Sequence, residues 1–235
     1  MNLLDLVFPK ICSHCGEGFQ QGLSNVLCRS CFDSIVPYED PVCGHCGISL
    51  PPRAFEDAEQ SRCRDCGEDS YALDQTRAFG AYDGALRLAH HSFKFEGMEG
   101  LKADLAGKML EASPVSFWSG VEAIIPVPLS PERERERGYN PAFLLADELS
   151  KQTGIPVRVS LRKIRPTKPQ MSLSREERLK NPKGVYSMAE KADPAAKVVL
   201  VDDVFTTGAT LEECAKTLKK AGVEWVGAIV FGRTP

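Results

Sequence analysis

Two groups of residues stand out for their chemistry. The first is the run Val198-Val199-Leu200-Val201-Asp202-Asp203-Val204-Phe205-Thr206-Thr207-Gly208-Ala209-Thr210. An apolar strand delivers two adjacent acids, Asp202 and Asp203, to its carboxyl end, and a small hydroxyl-rich loop then opens a helix. The carboxyl end of a parallel strand is where open α/β sheets bind ligands. Backbone N–H groups at Thr206, Thr207, Gly208, Ala209 and Thr210, with the helix dipole and three hydroxyls, form an anion site sized for a phosphate. Gly208 lets the backbone approach closely. The paired acids suit a sugar diol, because carboxylates accept hydrogen bonds from both hydroxyls. No Gly-Lys-Ser/Thr follows, so this is not a Walker A loop, and the dinucleotide fingerprint G-x-G-x-x-G is absent. A structural strand-turn-helix with Asp203 as a cap is the competing reading, and the weaker one, given two acids at the strand end plus that loop.

The second group is cysteine. Eight of nine cysteines lie before residue 67, spaced C-x2-C-x12-C-x2-C (Cys12, Cys15, Cys28, Cys31) and C-x2-C-x16-C-x2-C (Cys43, Cys46, Cys63, Cys66). Two residues between thiolates let a tight turn aim both sulfurs at one ion, and two such turns complete a tetrahedron. Gly16, Gly47 and Gly67 follow three of the pairs and permit the left-handed backbone such turns often need. Metal would supply the folding energy that a core-poor segment lacks. A disulfide framework fits badly, because Met1 to Leu6 has no basic leader and pairs at this spacing are typical of intracellular zinc sites. His14 and His45 sit inside the turns as alternative ligands, but eight cysteines already fill two sites. Two structural zinc ribbons paired in sequence order are expected; a crossed pairing of the four knuckles stays open. Cys214 stands apart, on one helix face with Leu211, Leu218 and Ala221, as a small buried hydrophobe.

The elements that must carry these groups divide near residues 68 to 76, giving domains 1–70 and 71–235. The second part reads as α/β. An edge strand is expected at Arg77 to Tyr82 and a helix at Ala85 to Phe95. Leu101, Leu105, Met109 and Leu110 mark a second helix. A short buried strand follows at Ala123 to Val127. Asn140 as N-cap and Pro141 at the first position start a helix ending at Gly154. Lys197 to Val201 is a continuous apolar strand, Thr207 to Ala221 a helix closed by Gly222, and Trp225 to Phe231 a last strand. Strands separated by helices predict a mainly parallel sheet covered on both faces.

Charge is unevenly spread. The 235-residue chain has net charge −3, 43% hydrophobic and 26% charged residues, ordinary for a globular protein and unlike a disordered one. No stretch approaches the eighteen-odd apolar residues of a membrane helix, and a cytoplasmic location is expected. Residues 158 to 183 hold nine cations (Arg158, Arg162, Lys163, Arg165, Lys168, Arg175, Arg178, Lys180, Lys183) against Glu176 and Glu177, a local +7 that leaves −10 elsewhere. Such a block in an acidic chain suggests a polyanion partner. Pro131 to Arg137 alternates in sign and is expected as a charged surface loop. Lys94 is either a helix-surface charge or part of the site.

The thirteen-residue run resembles the 5-phosphoribosyl-1-pyrophosphate (PRPP) motif of type I phosphoribosyltransferases. With the four cysteine knuckles, nearly the whole chain resembles the ComF/GntX family, competence-protein-F-like phosphoribosyltransferases with an N-terminal double zinc ribbon. His91-Ser92-Phe93-Lys94-Phe95 is similar to that family's H-x-x-K-F element. Pro126-Val127-Pro128-Leu129, Arg133 and Arg137-Gly138-Tyr139-Asn140 resemble P-V-P-L-H…R…R-G-F-N-Q. Thr167 to Gln170, Leu173, Arg178 and Asn181 resemble T-x-x-Q-x-x-L…R-x-x-N. Ser130 replaces the family's usual His, and Pro141 its usual Gln.

The resemblance implies a type I phosphoribosyltransferase-like α/β fold. Asp202 and Asp203 are then the catalytic pair on the ribose 2′- and 3′-hydroxyls, Thr206 to Thr210 hold the 5′-phosphate, and Val127, Pro128 and Leu129 face pyrophosphate. Lys94, Arg133, Arg137, Lys168, Arg175 and Arg178 are the candidates for contacts to pyrophosphate or nucleic acid, with Arg175 to Asn181 in a mobile hood. Magnesium would accompany PRPP, held by ligand oxygens and water. The resemblance points to DNA uptake and natural transformation, with single-stranded DNA and other competence proteins at the inner membrane face as partners. Three functions stay open: phosphoribosyl transfer to an unidentified acceptor, a non-catalytic single-stranded DNA-binding module, and a PRPP sensor.

Overall fold

The strand Lys197–Phe205 organises the molecule. Its first five residues, Lys197-Val198-Val199-Leu200-Val201, are apolar after the lysine, and four of them are fully buried, as a strand covered on both faces requires. In the computed structural model, which describes residues 10–19, 22–51, 62–67, 70–95, 98–167, 174, 177, 181–190 and 195–234, the elements run as follows. The cysteine-rich part holds β1 (Lys10–Ile11), β2 (Gly18–Phe19) and α1 (Arg29–Asp33). Then come β3 (Gln75–Ala81), α2 (Gly84–Phe95), α3 (Lys102–Glu111), α4 (Val115–Trp118), β4 (Ala123–Pro126), α5 (Pro131–Arg137) and α6 (Pro141–Thr153). The chain finishes with β5 (Leu161–Lys163), β6 (Tyr186–Met188), β7 (Lys197–Phe205), α7 (Ala209–Lys220) and β8 (Trp225–Arg233).

The sheet order is β3-β8-β7-β4, and every pairing is parallel. A further parallel bridge joins Ile124 to Val157 at the β4 edge. Alternation along β7 sends Val198 and Leu200 to one face and Val199 and Val201 to the other. The first face packs on Leu211, Cys214 and Leu218 of α7 and on Leu161 and Tyr186 of the β5–β6 pair. The second packs on Leu86 and Phe93 of α2, Leu105 and Met109 of α3, and Leu145 and Leu149 of α6. Cys214 is fully buried in the first layer.

Helix α6 begins as its sequence predicts. The Asn140 side chain accepts the Ala142 N–H at 3.1 Å, Pro141 takes the first position, and Gly154 closes the helix at φ +75°. Gly222, just past α7, has φ +98°.

Four differences from the sequence reading have physical causes. Pairing with β8 carries β7 through to Phe205, opposite Arg233, so both acids lie inside the strand rather than after it. Helix α7 begins at Ala209, two residues late, because Gly208 sits in the left-handed region at φ +72°. Pro131–Arg137 is a helix and not a loop: the Ser130 hydroxyl accepts the Arg133 N–H at 3.4 Å, Pro131 starts it, and Gly138 ends it at φ +84°. The antiparallel β5–β6 pair lacks a long alternating signature and was not expected.

Candidate functional site

The cysteine knuckles form two clusters of four sulfurs each. The Sγ atoms of Cys12, Cys15, Cys28 and Cys31 lie within 4.8 Å of one another, and so do those of Cys43, Cys46, Cys63 and Cys66. Tetrahedral zinc with Zn–S bonds of about 2.3 Å sets its sulfurs about 3.8 Å apart, and Cys46 and Cys63 Sγ are 3.7 Å apart. The pairing is sequential, not crossed. Each turn closes as a knuckle should, with Gly16 N–H on Cys12 O at 2.9 Å, Phe32 N–H on Cys28 O at 3.3 Å, Gly47 N–H on Cys43 O at 2.8 Å and Gly67 N–H on Cys63 O at 3.1 Å. Neither His14 nor His45 joins a cluster among the described residues. The donor sets fit two structural zinc ions, since four thiolates fill each site and leave no open position.

The second group of residues meets at the carboxyl end of β7, in a cleft of about 270 Å³ walled by Tyr82, His90, Lys94, Lys163, Tyr186, Asp202, Asp203, Thr206, Gly208 and Thr210, among others. The two acids leave opposite faces of the strand. Asp203 turns toward α2, where its Oδ2 meets Lys94 Nζ and lies 3.1 Å from His90 Nε2. Its Oδ1 accepts the Val204 N–H at 2.8 Å. The His90 Nδ1 in turn lies 2.8 Å from the Tyr82 hydroxyl. Asp202 turns toward the β5–β6 side and feels the charge of Lys163, and its Oδ1 accepts the Asp203 N–H at 2.8 Å.

These surroundings split the pair. Burial, and then the charge of Asp203, push Asp202 up to about 8. Burial also works against Asp203, but Lys94 and His90 hold it well below the usual carboxylate range. Near neutral pH one acid therefore offers an O–H and the other a charge, the division of labour that two close carboxyl groups adopt when their environments differ. Burial lowers Lys163 and raises Tyr186 on the facing pair.

The loop from Thr206 to Gly208 follows directly. Gly208 caps α7, and a Cβ at this position would lie 2.3 Å from the Phe205 ring; no side chain fits there. The first N–H groups of a helix have no partner within it, so the loop presents donors and a dipole to the same cleft as the acids.

Other residues named from the sequence are distributed differently. Val127 is buried, its N–H donates to Val201 O at 2.9 Å, and its carbonyl accepts Asn140 Nδ2 at 3.0 Å. Val127, Pro128 and Leu129 thus lie beside β7 but are not among the side chains walling the cleft. Arg133 and Arg137, one helical turn apart on α5, line a second hollow of about 480 Å³ with Lys94, Phe95, Glu136 and Tyr139. The Arg137 guanidinium stands 5.2 Å from the Phe95 ring centre. Lys94 and Phe95 belong to both hollows. Lys168, Arg175 and Arg178 lie outside the described residues. His90 and Tyr82 were missed: His91, the histidine of the motif reading, is exposed, whereas His90 is four residues before Lys94 and shares its helix face. That spacing was the available signal.

Residues 3–70 match the family description "Double zinc ribbon domain", and residues 139–235 match "Phosphoribosyl transferase domain". Fold and site define a class: a double zinc ribbon joined to a phosphoribosyltransferase domain. The chain is 35% identical over 220 residues to Competence protein F of Haemophilus influenzae, covering 91% of this chain and 92% of that one. It is 28% identical to Competence protein ComFC of Bacillus subtilis over 90% of each chain. It is also 28% identical to DNA utilization protein YhgH of Salmonella typhimurium, over 95% of this chain and 90% of the relative. The chain belongs to the family of competence protein F and ComFC.

Proposed function

We propose that the chain binds PRPP with magnesium at the end of β7 and transfers its phosphoribosyl group to an acceptor in the service of DNA uptake. The observation that carries this reading is the convergence of Asp202, Asp203 and the Gly208 loop on one cleft. The ribose diol lies against the acids and the 5′-phosphate on Thr206 to Thr210. The pyrophosphate end extends past Lys94 toward Arg133 and Arg137, with magnesium held by its oxygens and water. An acceptor nucleophile bonds to the anomeric carbon as the C–O bond to pyrophosphate breaks, and pyrophosphate leaves with the electron pair. Positive charge grows on the sugar, where ionised Asp203 favours it; negative charge grows on the leaving group, where the cations favour it. The names of the relatives, competence and DNA utilization proteins, support placing the activity in DNA uptake.

The test is titration calorimetry with PRPP and magnesium. The native chain binds, and Asp202→Asn with Asp203→Asn lowers affinity at least about a hundredfold while circular dichroism is unchanged, the loss expected when hydrogen bonds to a charged group go. Equal affinity would defeat the site. Pyrophosphate release on adding pooled nucleobases or single-stranded DNA tests the transfer step separately.

A further inference from the structure

The knuckle between Cys43 and Cys46 holds a buried histidine that its metal does not use. His45 is 5% exposed and stacks on Tyr71, ring centres 3.4 Å apart and planes 14° from parallel. The Phe205 ring meets it edge-on at 5.9 Å. That ring also fills the space beneath Gly208, 2.3 Å from where a Cβ would stand. The Tyr71 hydroxyl donates to the carbonyl of Cys66 at 3.0 Å, so the stack ties one half of the metal cluster to the other. A parallel tie comes from α7: Glu212 accepts the N–H groups of Ala72 and Leu73 at 2.7 and 3.3 Å. Cys43, Cys46 and Cys66 share a buried cluster with Phe205 and Leu211, whereas Cys12 and Cys31 of the first centre pack in the opposite layer with Leu86 and Phe93.

We propose that the second zinc centre is a strut of the phosphate loop. The metal-bound shape of Cys43, Cys46, Cys63 and Cys66 passes through His45, Tyr71 and Phe205 to hold residues 205–211 ready for an anion, and the bound anion in turn retains the metal. His45 and Tyr71 are positioning residues, and the inference rests on the PRPP reading only for the identity of that anion. Close packing makes the link stiff. Coupling between two sites is reciprocal, so it is measurable from either end.

The experiment uses the full-length, zinc-loaded chain with a zinc-selective chelator and a thiol-alkylating reagent, labelling being read cysteine by cysteine by mass spectrometry. PRPP should slow labelling of Cys43, Cys46, Cys63 and Cys66 about fivefold or more and leave the other four ligands unchanged. In a chain that binds PRPP, equal protection of both sets, or none, overturns the strut. His45→Ala, retaining two zinc ions, should lose this protection and bind PRPP about tenfold more weakly, and His45→Phe, which keeps a ring, should restore both. Unchanged behaviour in His45→Ala overturns the inference; if that variant does not fold, Tyr71→Leu makes the same test from the other ring. A ligand-free arm separates this inference from the PRPP reading. Partial chelation should speed amide exchange in 205–211 but not in α6, and no such difference overturns the strut even if PRPP binds. Faster exchange in a chain that fails to bind PRPP upholds the strut and removes the proposed ligand.

Discussion

Asp202 and Asp203 are neighbours in sequence with opposite fates. Asp203 has both oxygens engaged, by Val204 on one side and by Lys94 and His90 on the other. Among the described residues Asp202 has no cation that close, and its charge is opposed by burial and by Asp203. The pH consequences have opposite signs. The folded-state value of Asp202 lies above the unfolded one, so its contribution to stability is full at acid pH and is lost as pH rises through about 8. Asp203 contributes above the ordinary carboxylate range and loses its contribution as pH falls. Between about pH 6 and about pH 9, the unfolding free energy of the native chain should fall about 2–3 kcal/mol more than that of Asp202→Asn, from the cost of ionising one such group. Urea unfolding at the two pH values checks this, and parallel curves would contradict the assignment.

At the scale of elements, the site depends on connections that tie strands to helix starts. Asn140 is the clearest. Its carbonyl oxygen caps α6 at the Ala142 N–H, while its Nδ2 holds the Val127 carbonyl just past β4. One residue therefore sets both the helix start and the path of the 127–129 loop. Asn140→Ala should cost about 2 kcal/mol, a cap and a half-buried hydrogen bond together. Asn140→Asp keeps the cap acceptor but loses the donor and should cost about half as much, measured by denaturant midpoint at constant m-value. Helix α5 makes a different point. The alternation of Glu and Arg reads as a solvated loop because alternation has no helical period. Ser130, Pro131 and Gly138 make it a helix instead, and that winding brings Arg133 and Arg137 onto one face toward Phe95.

At the scale of the whole molecule, the two zinc centres serve different layers of the sheet. The second is the more deeply buried: Cys43, Cys46 and Cys66 are buried, while Cys15 of the first is exposed. Elemental analysis should return two zinc ions per chain. Cys15→Ser and Cys43→Ser should each lose one, but Cys43→Ser should cost about 3 kcal/mol more, roughly 6–12 °C in Tm for a chain of this size. Equal losses would mean that the second ribbon is an appendage rather than part of the α/β core.

Much of this architecture was legible in the residues alone. The apolar run ending in Asp202 and Asp203, the Asn140-Pro141 start with its Gly154 stop, and the paired cysteines are local signals, because strand burial, capping and metal geometry act over a few residues. So was the tight turn at Gly208 that opens α7, with its left-handed backbone and no room for a Cβ. What only the tertiary structure decided is which side chains converge from distant elements. The His90–Asp203 contact, the meeting of His45 with Phe205 and the second hollow beside Lys94 all depend on the order β3-β8-β7-β4 and on which face of the sheet each element covers. Long-range packing sets those contacts, and no local spacing encodes it.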